Sequence, residues 1–289
     1  MGTYAVTGSA SGMGAATAER LRAEGHTVIG VDILDADVVA DLATPAGRRT
    51  AAEQVLERSR GVLDGAVMAA GVGPAPGPER ARLILQVNFV STVDLLEAWR
   101  PALAASDRAK VVVFASNSTT TMPMLSARAI RALLEGETEV ALARVRRLRA
   151  MAPAAAYGVS KVALSRWVRR RAVTAEWAGT GIRLNALAPG AVRTPLLEEQ
   201  LDSPGLAKRV KAFPVPLGGF GEPDDLAAWA VFMLSDAADF LCGSVLFVDG
   251  GTDAWFRADD WPRPVPARHL RRYLARMRSF RPPRDRRVI

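Results

Sequence analysis

The sequence has one cysteine, Cys242, and two histidines, His26 and His269. A single thiol excludes an intrachain disulfide, and its apolar neighbours lead us to expect a buried structural group. Two distant histidines form no cluster with metal-ligand spacing, so no metal is expected. Long apolar runs are missing too. The longest, Leu226 to Leu234, is half of the ~18 residues that a membrane span needs. Linkers, low-complexity tracts and internal repeats are absent. The start, Met1 to Thr7, enters a strand without a basic-then-apolar leader, and Val6 breaks a myristoylation pattern. These absences lead us to expect a cytoplasmic chain with no membrane partner. What is present is 289 residues, 49% hydrophobic, enough for one large α/β domain with a sizeable core.

The net charge of +8 is unevenly spread. Eleven arginines and three aspartates lie between Arg257 and Ile289, so the surplus belongs to a C-terminal tail and the rest of the chain is balanced. A basic tail can touch nucleic acid or an anionic surface. The expectation here is a solvated or subunit-wrapping extension, because Trp255, Phe256, Trp261, Leu270, Tyr273, Leu274 and Phe280 offer enough apolar surface to dock on the protein itself.

Strands are expected at Tyr4–Val6, Thr27–Val31, Asp37–Ala40, Gly65–Ala69, Lys110–Ala115, Ile182–Ala188 and Val245–Val248. Helices are expected at Ala15–Glu24, Pro45–Arg58, Ala81–Leu103 and over 154–178. Alternating strands and helices, with continuously apolar strands, give a doubly wound, Rossmann-like parallel sheet of seven strands with helices on both faces.

Thr7-Gly8-Ser9-Ala10-Ser11-Gly12-Met13-Gly14 falls directly between the first strand and the first helix. Glycines there admit positive φ and let the backbone approach a pyrophosphate at a helix N-terminus. Asp32 ends the second strand, where a carboxylate accepts hydrogen bonds from an adenosine ribose and repels a 2′-phosphate. No Arg or Lys sits in the turn or just after Asp32, so NAD is favoured over NADP. Further along, Tyr157 and Lys161 are four apart and so share a helix face. A free phenol has a pKa near 10, and a nearby ammonium favours the phenolate, which moves that pKa toward neutrality.

Together these segments resemble the short-chain dehydrogenase/reductase superfamily over nearly all of residues 1–256. The matching pieces are TGSASGMG at 7–14, Asp32, Asn88, Ser116, YGVSK at 157–161, Asn185, Pro189-Gly190, Thr194 and Val248-Asp249-Gly250-Gly251. One motif departs: Ala69-Ala70-Gly71 stands where the family has Asn-Ala-Gly, which removes a stabilising amide. The resemblance implies that Tyr157 exchanges a proton with the substrate oxygen and Ser116 bonds the same oxygen. Lys161 would hold the nicotinamide ribose and lower the Tyr pKa, and Asn88 would hold a water behind Lys161. It further implies that Gly8, Ser11, Gly12, Met13, Asp32, Asp41, Leu42, Ala70, Gly71, Pro189, Gly190, Val192 and Thr194, with Tyr157 and Lys161, bind NAD, Thr194 at the carboxamide.

Ser116 and Tyr157 are 41 positions apart, far more than is usual in that superfamily. The insert, about 119–155, reads as two helices: Ser126 to Leu134, stopped by Gly136, and Glu137–Met151, whose apolar stripe is Val140, Ala141, Val145 and Leu148. With the run from Val31 to Leu42, the insert resembles the bacterial 3α-hydroxysteroid dehydrogenase/carbonyl reductase subgroup. That likeness implies NAD(H)-dependent chemistry on a hydrophobic secondary alcohol or ketone, and a homo-oligomer, dimer or tetramer, with the inserted helices in the contact. Ala191 to Leu217 is expected to form an apolar lid presenting Leu196, Leu197, Leu201, Leu206, Val210 and Phe213. Residues 257–289 are an addition to the subgroup's length. Two rivals remain: a dehydrogenase of another lipophilic metabolite (a terpenoid, aryl ketone or polyketide), and a non-catalytic NAD-binding protein using the tail on an anionic partner.

Overall fold

The computed structural model describes residues 1–202, 204–261 and 264–280. In chain order the first half comprises β1 (Thr3–Thr7), α1 (Gly12–Ala23), β2 (Thr27–Asp32), β3 (Val38–Val39), α2 (Pro45–Arg58), β4 (Gly65–Met68), α3 (Arg80–Leu85), α4 (Ser91–Ala104) and β5 (Lys110–Phe114). Then follow α5 (Ser118–Thr121), α6 (Ala127–Leu134), α7 (Thr138–Arg146), α8 (Ala152–Arg171), β6 (Arg183–Pro189), α9 (Pro195–Leu201) and α10 (Pro204–Lys211). α11 (Pro223–Leu234), β7 (Val245–Val248), α12 (Thr252–Arg257) and α13 (Leu270–Ser279) complete the chain. The strands form one sheet of seven in the order β3-β2-β1-β4-β5-β6-β7, every pair parallel. The order reverses between β1 and β4, which opens a crevice at their C-terminal ends.

Every strand but β3 serves two cores at once, which explains the unbroken apolar runs. Along β5, Val111 and Val113 face one layer, with α2, α3, α4, α6, α7 and α8, while Val112 and Phe114 face the other, with α1 and α11. The insert belongs to the first layer. Ala141, Leu142 and Val145 of α7 and Ile130 and Leu133 of α6 are buried in it. Outside the core, Arg82 pairs with Glu139 and Arg146 with Glu79 at 2.8 Å, which ties α7 to α3 and its N-terminus.

Several boundaries differ from the sequence expectations. β3 has only two residues. The helix expected over Ala81–Leu103 is broken by a π turn, Gln86–Val90, centred on Asn88. The second insert helix stops at Arg146, followed by a 3-10 turn at Arg149–Met151, so Leu148 falls outside its period; Leu148 and Val140 are exposed, and Leu142 joins the stripe instead. α8 ends at Arg171 and not near 178, because the chain folds back to set Trp177 edge-on against Trp167, 5.7 Å between ring centres. Cys242 is exposed, not buried: it lies in the loop before β7, the edge strand that no neighbour covers, and its Sγ donates to the Ala172 carbonyl at 3.4 Å. Leu206 and tail residues 262, 263 and 281–289 lie outside what is described of side chains.

The buried α7 face makes a direct prediction. Leu142, 1% exposed, should cost about 2–5 kcal/mol when replaced by Ala. Urea unfolding should show the lower midpoint with an unchanged slope; a neutral substitution would mean that the insert is not part of the cooperative core.

Candidate active site

The crevice begins at the turn between β1 and α1. Gly8 has φ +70°, and a Cβ there would stand 2.7 Å from the Ala70 amide nitrogen. A Cβ on Gly14 would stand 2.0 Å from the Gly8 carbonyl oxygen. No other residue fits either place, and the resulting cradle is all backbone. Asp32 holds it: Ala10 N donates to Oδ2 at 2.9 Å and Ile33 N donates to Oδ1 at 2.7 Å. An ionised carboxylate accepts about four hydrogen bonds, so capacity remains for a pair of ligand hydroxyls. The neighbouring Ala69-Ala70-Gly71 turn is held by Thr7, whose Oγ1 accepts from Ala70 N at 3.2 Å. That bond supplies a tether where the family motif has its Asn.

One cavity lies over Gly8, Ser11, Gly12, Asp32, Asp41, Leu42 and Ala70. A second holds Asn88, Ser116, Tyr157, Lys161, Pro189, Gly190 and Val192. Met13, Gly71 and Thr194 line both, so the two form one continuous trough. Every site residue expected from the sequence therefore lies along it. The glycine cradle and the Asp32 carboxylate fit the pyrophosphate and ribose of a dinucleotide.

The polar groups of the second cavity come from separate elements. Asn88 sits in the π turn, where the extra residue rotates its amide toward β4. Its Oδ1 accepts from Val72 N at 2.8 Å and its Nδ2 donates to Val72 O at 3.0 Å, so both ends of the amide already hold protein groups. Ser116, two residues past β5, accepts from Ser118 N at 3.1 Å and lines the same cavity as Tyr157. The long insert does not hold these hydroxyls apart, because α6 and α7 pack beside α8. Lys161, one turn beyond Tyr157 on α8, donates from Nζ to the Phe114 carbonyl at the end of β5 at 2.7 Å, with Nζ 5.9 Å from the Tyr157 ring centre.

Burial governs both titrations. It lowers the Lys161 pKa from 10.5 to about 8. It also raises the phenol of Tyr157, with Ser116 pulling the other way. The phenol therefore lies above its ordinary range, because desolvation of the phenolate outweighs the opposing influence of Ser116.

Groups that the sequence reading missed also line the cavity. Asn117 reaches Asp249 near α12 (Nδ2 to Oδ2, 3.5 Å), and Ser118, Thr121 and Met122 continue the wall from α5. Gly158 permits this wall: a Cβ there would meet Leu125 Cδ2 at 2.8 Å and Met122 Sδ at 2.9 Å. A glycine directly after the tyrosine was the available signal. Leu196, Leu197, Val210 and Phe213 of the lid face the cavity, whereas Leu201 is not part of its lining. Thr194 caps α9, with Oγ1 accepting from Leu197 N at 3.4 Å, and its methyl packs against the place where Gly12 lacks a side chain. The lid is backed by the C-terminal segment: Thr252 Oγ1 donates to Pro214 O at 2.9 Å, and Phe213 lies 5.7 Å from Phe256 between ring centres.

A buried lysine with a lowered pKa destabilises the fold in its charged form. The unfolded chain binds the extra proton between about pH 8 and 10.5, so Lys161 makes stability rise with pH across that window, and its penalty is full and constant below it. Lys161→Met should therefore lack this rise. Urea midpoints measured from pH 7 to 9.5 should show the two proteins diverging above pH 8, with the wild type gaining; parallel curves would contradict it.

Residues 113–253 match a family described as Enoyl-(Acyl carrier protein) reductase. A 3-alpha-hydroxysteroid dehydrogenase/carbonyl reductase of Comamonas testosteroni is 37% identical over 257 residues, 89% of this chain and 98% of that protein. A coniferyl-alcohol dehydrogenase of a Pseudomonas species is 32% identical over 256 residues, 85% of this chain and 94% of that protein. Among solved structures, the 3-alpha-hydroxysteroid dehydrogenase from Pseudomonas sp. B-0831, complexed with NADH, superposes with a TM-score of 0.83 at 41% identity, covering 89% of this chain and 99% of that one.

Proposed function

Because the chain belongs to the short-chain dehydrogenase/reductase family, we propose that it is an NAD(H)-dependent oxidoreductase that interconverts a hydrophobic, steroid-like secondary alcohol and its ketone. The observation that carries this reading is the convergence of Ser116, Tyr157 and Lys161 on one cavity, in one trough with the glycine cradle and Asp32. NAD, when bound, supplies the acceptor or donor of a hydride. Gly8, Gly12, Gly14 and Asp32 hold its adenosine half, with Ser11, Met13, Asp41, Leu42, Ala70 and Gly71 beside them. Pro189, Gly190, Val192 and Thr194 border the other half. Ser116 fixes the substrate oxygen, and Tyr157 takes the hydroxyl proton from an alcohol or returns it to a ketone. Lys161 orients the ribose, and its charge favours the phenolate once ligands replace the Phe114 carbonyl as its partner. Asn88 holds the Val72 backbone and shapes the floor behind Lys161.

The walls support an apolar substrate: apolar residues, among them Val72, Pro74, Met122, Leu196, Leu197 and Phe213, outnumber the polar lining. A second reading, a dehydrogenase of another lipophilic alcohol, is favoured by the likeness to the coniferyl-alcohol enzyme. The same proposal divides the chain into a 1–256 domain and a 257–289 extension, places it in the cytoplasm, and makes it a homo-oligomer. Val140, Leu148 and Met151, apolar and exposed on the insert, support a subunit contact there.

Tyr157→Phe should lower turnover of a 3α-hydroxysteroid panel at least ~100-fold while NADH fluorescence still reports cofactor binding. Undiminished turnover would remove the proposed proton donor. Asp32→Ala should reduce kcat/KM for NAD by about 10–100-fold and that for NADP by less, because the loosened cradle serves both and the lost hydroxyl acceptor only NAD. An unchanged ratio of the two would put the ribose elsewhere.

A further inference from the structure

The tail helix is the largest feature that the proposed chemistry leaves unused. Every residue of α13 is exposed, and it packs on neither sheet layer. Leu270, Tyr273, Leu274 and Met277 recur at i, i+3, i+4 and i+7, so they form one apolar stripe. They are 56%, 46%, 42% and 64% exposed. Arg271, Arg272, Arg276 and Arg278 take the rest of the circumference, with no acidic residue between Arg268 and Phe280. Trp255 and Trp261, 69% and 66% exposed, stand at the root of this segment.

We propose that α13 is an interfacial helix that docks the enzyme on an anionic phospholipid surface. The apolar stripe enters the boundary between headgroups and acyl chains, the flanking arginines meet the phosphates, and the tryptophans sit at headgroup depth. Charge decides the occupant. A second copy of the chain offers no net negative charge to meet the arginines, since the residues before Arg257 are balanced and the tail itself is basic. Nucleic acid would take the arginines and leave the stripe uncovered. An interfacial helix needs no span, so the absence of an 18-residue apolar run, which led the sequence reading to expect no membrane partner, does not bear on it. α12, upstream in the chain, backs the lid through Phe256 and Phe213.

The test is flotation of the purified full chain with vesicles of phosphatidylcholine alone or mixed with phosphatidylglycerol. The chain should float only with the anionic vesicles and be released by about 0.5 M NaCl. L274E/M277E should cut the bound-to-free ratio about tenfold or more, and R271A/R272A should weaken binding and flatten its salt dependence. Thermal melting reports that both variants keep the folded domain, because all four side chains are exposed. Absence of flotation, flotation that survives L274E/M277E, or tail-dependent self-association or DNA binding without vesicle binding would each overturn the proposal.

Discussion

The end of β5 is the point on which the site depends. Phe114, its last residue, turns its side chain into one core and lends its carbonyl to Lys161, while Ser116, two residues later, lines the same cavity as Tyr157. A single strand end thus faces both groups that α8 delivers, and the helical turn between Tyr157 and Lys161 matches that spacing. The carbonyl is what makes a buried ammonium tolerable there. It offers one neutral acceptor, and burial lowers the lysine pKa and raises the tyrosine pKa by desolvating the charged form of each.

The nucleotide half of the trough works by exclusion of side chains. Gly8 and Gly14 are set so close to neighbouring backbone that any Cβ would open the turn, and Asp32 closes it from β2 by accepting two amides. The carboxylate therefore has a structural duty before any ligand arrives. Replacing it would loosen the cradle as well as remove a hydroxyl acceptor.

Much of this was legible from local pattern. The strand–turn–helix signal around Gly8 and the terminal Asp32 are short-range features, and so is the four-residue spacing of Tyr157 and Lys161. The other expected site residues came from the family resemblance, and they line the same trough. What the pattern could not carry was tertiary. Asn88 reads as a residue in a continuous helix, and only the folded backbone shows the π turn from which its amide holds Val72. The stripe of α7 was misjudged at Val140 and Leu148 because the helix end depends on packing against α3 and α8. Cys242 reads as buried from its apolar neighbours, yet an edge strand leaves its flank open. The electrostatics of Tyr157 escaped for a similar reason, since desolvation is a property of the whole surround and not of spacing.

Gly158 sits beside the phenol with no clearance on its side: Met122 and Leu125 occupy the space that any larger residue would claim. That flank of the pocket is shared between the reacting helix and the start of the insert, so a larger residue at position 158 has to push aside the ends of two flexible side chains and thereby reshape the wall beside the phenol.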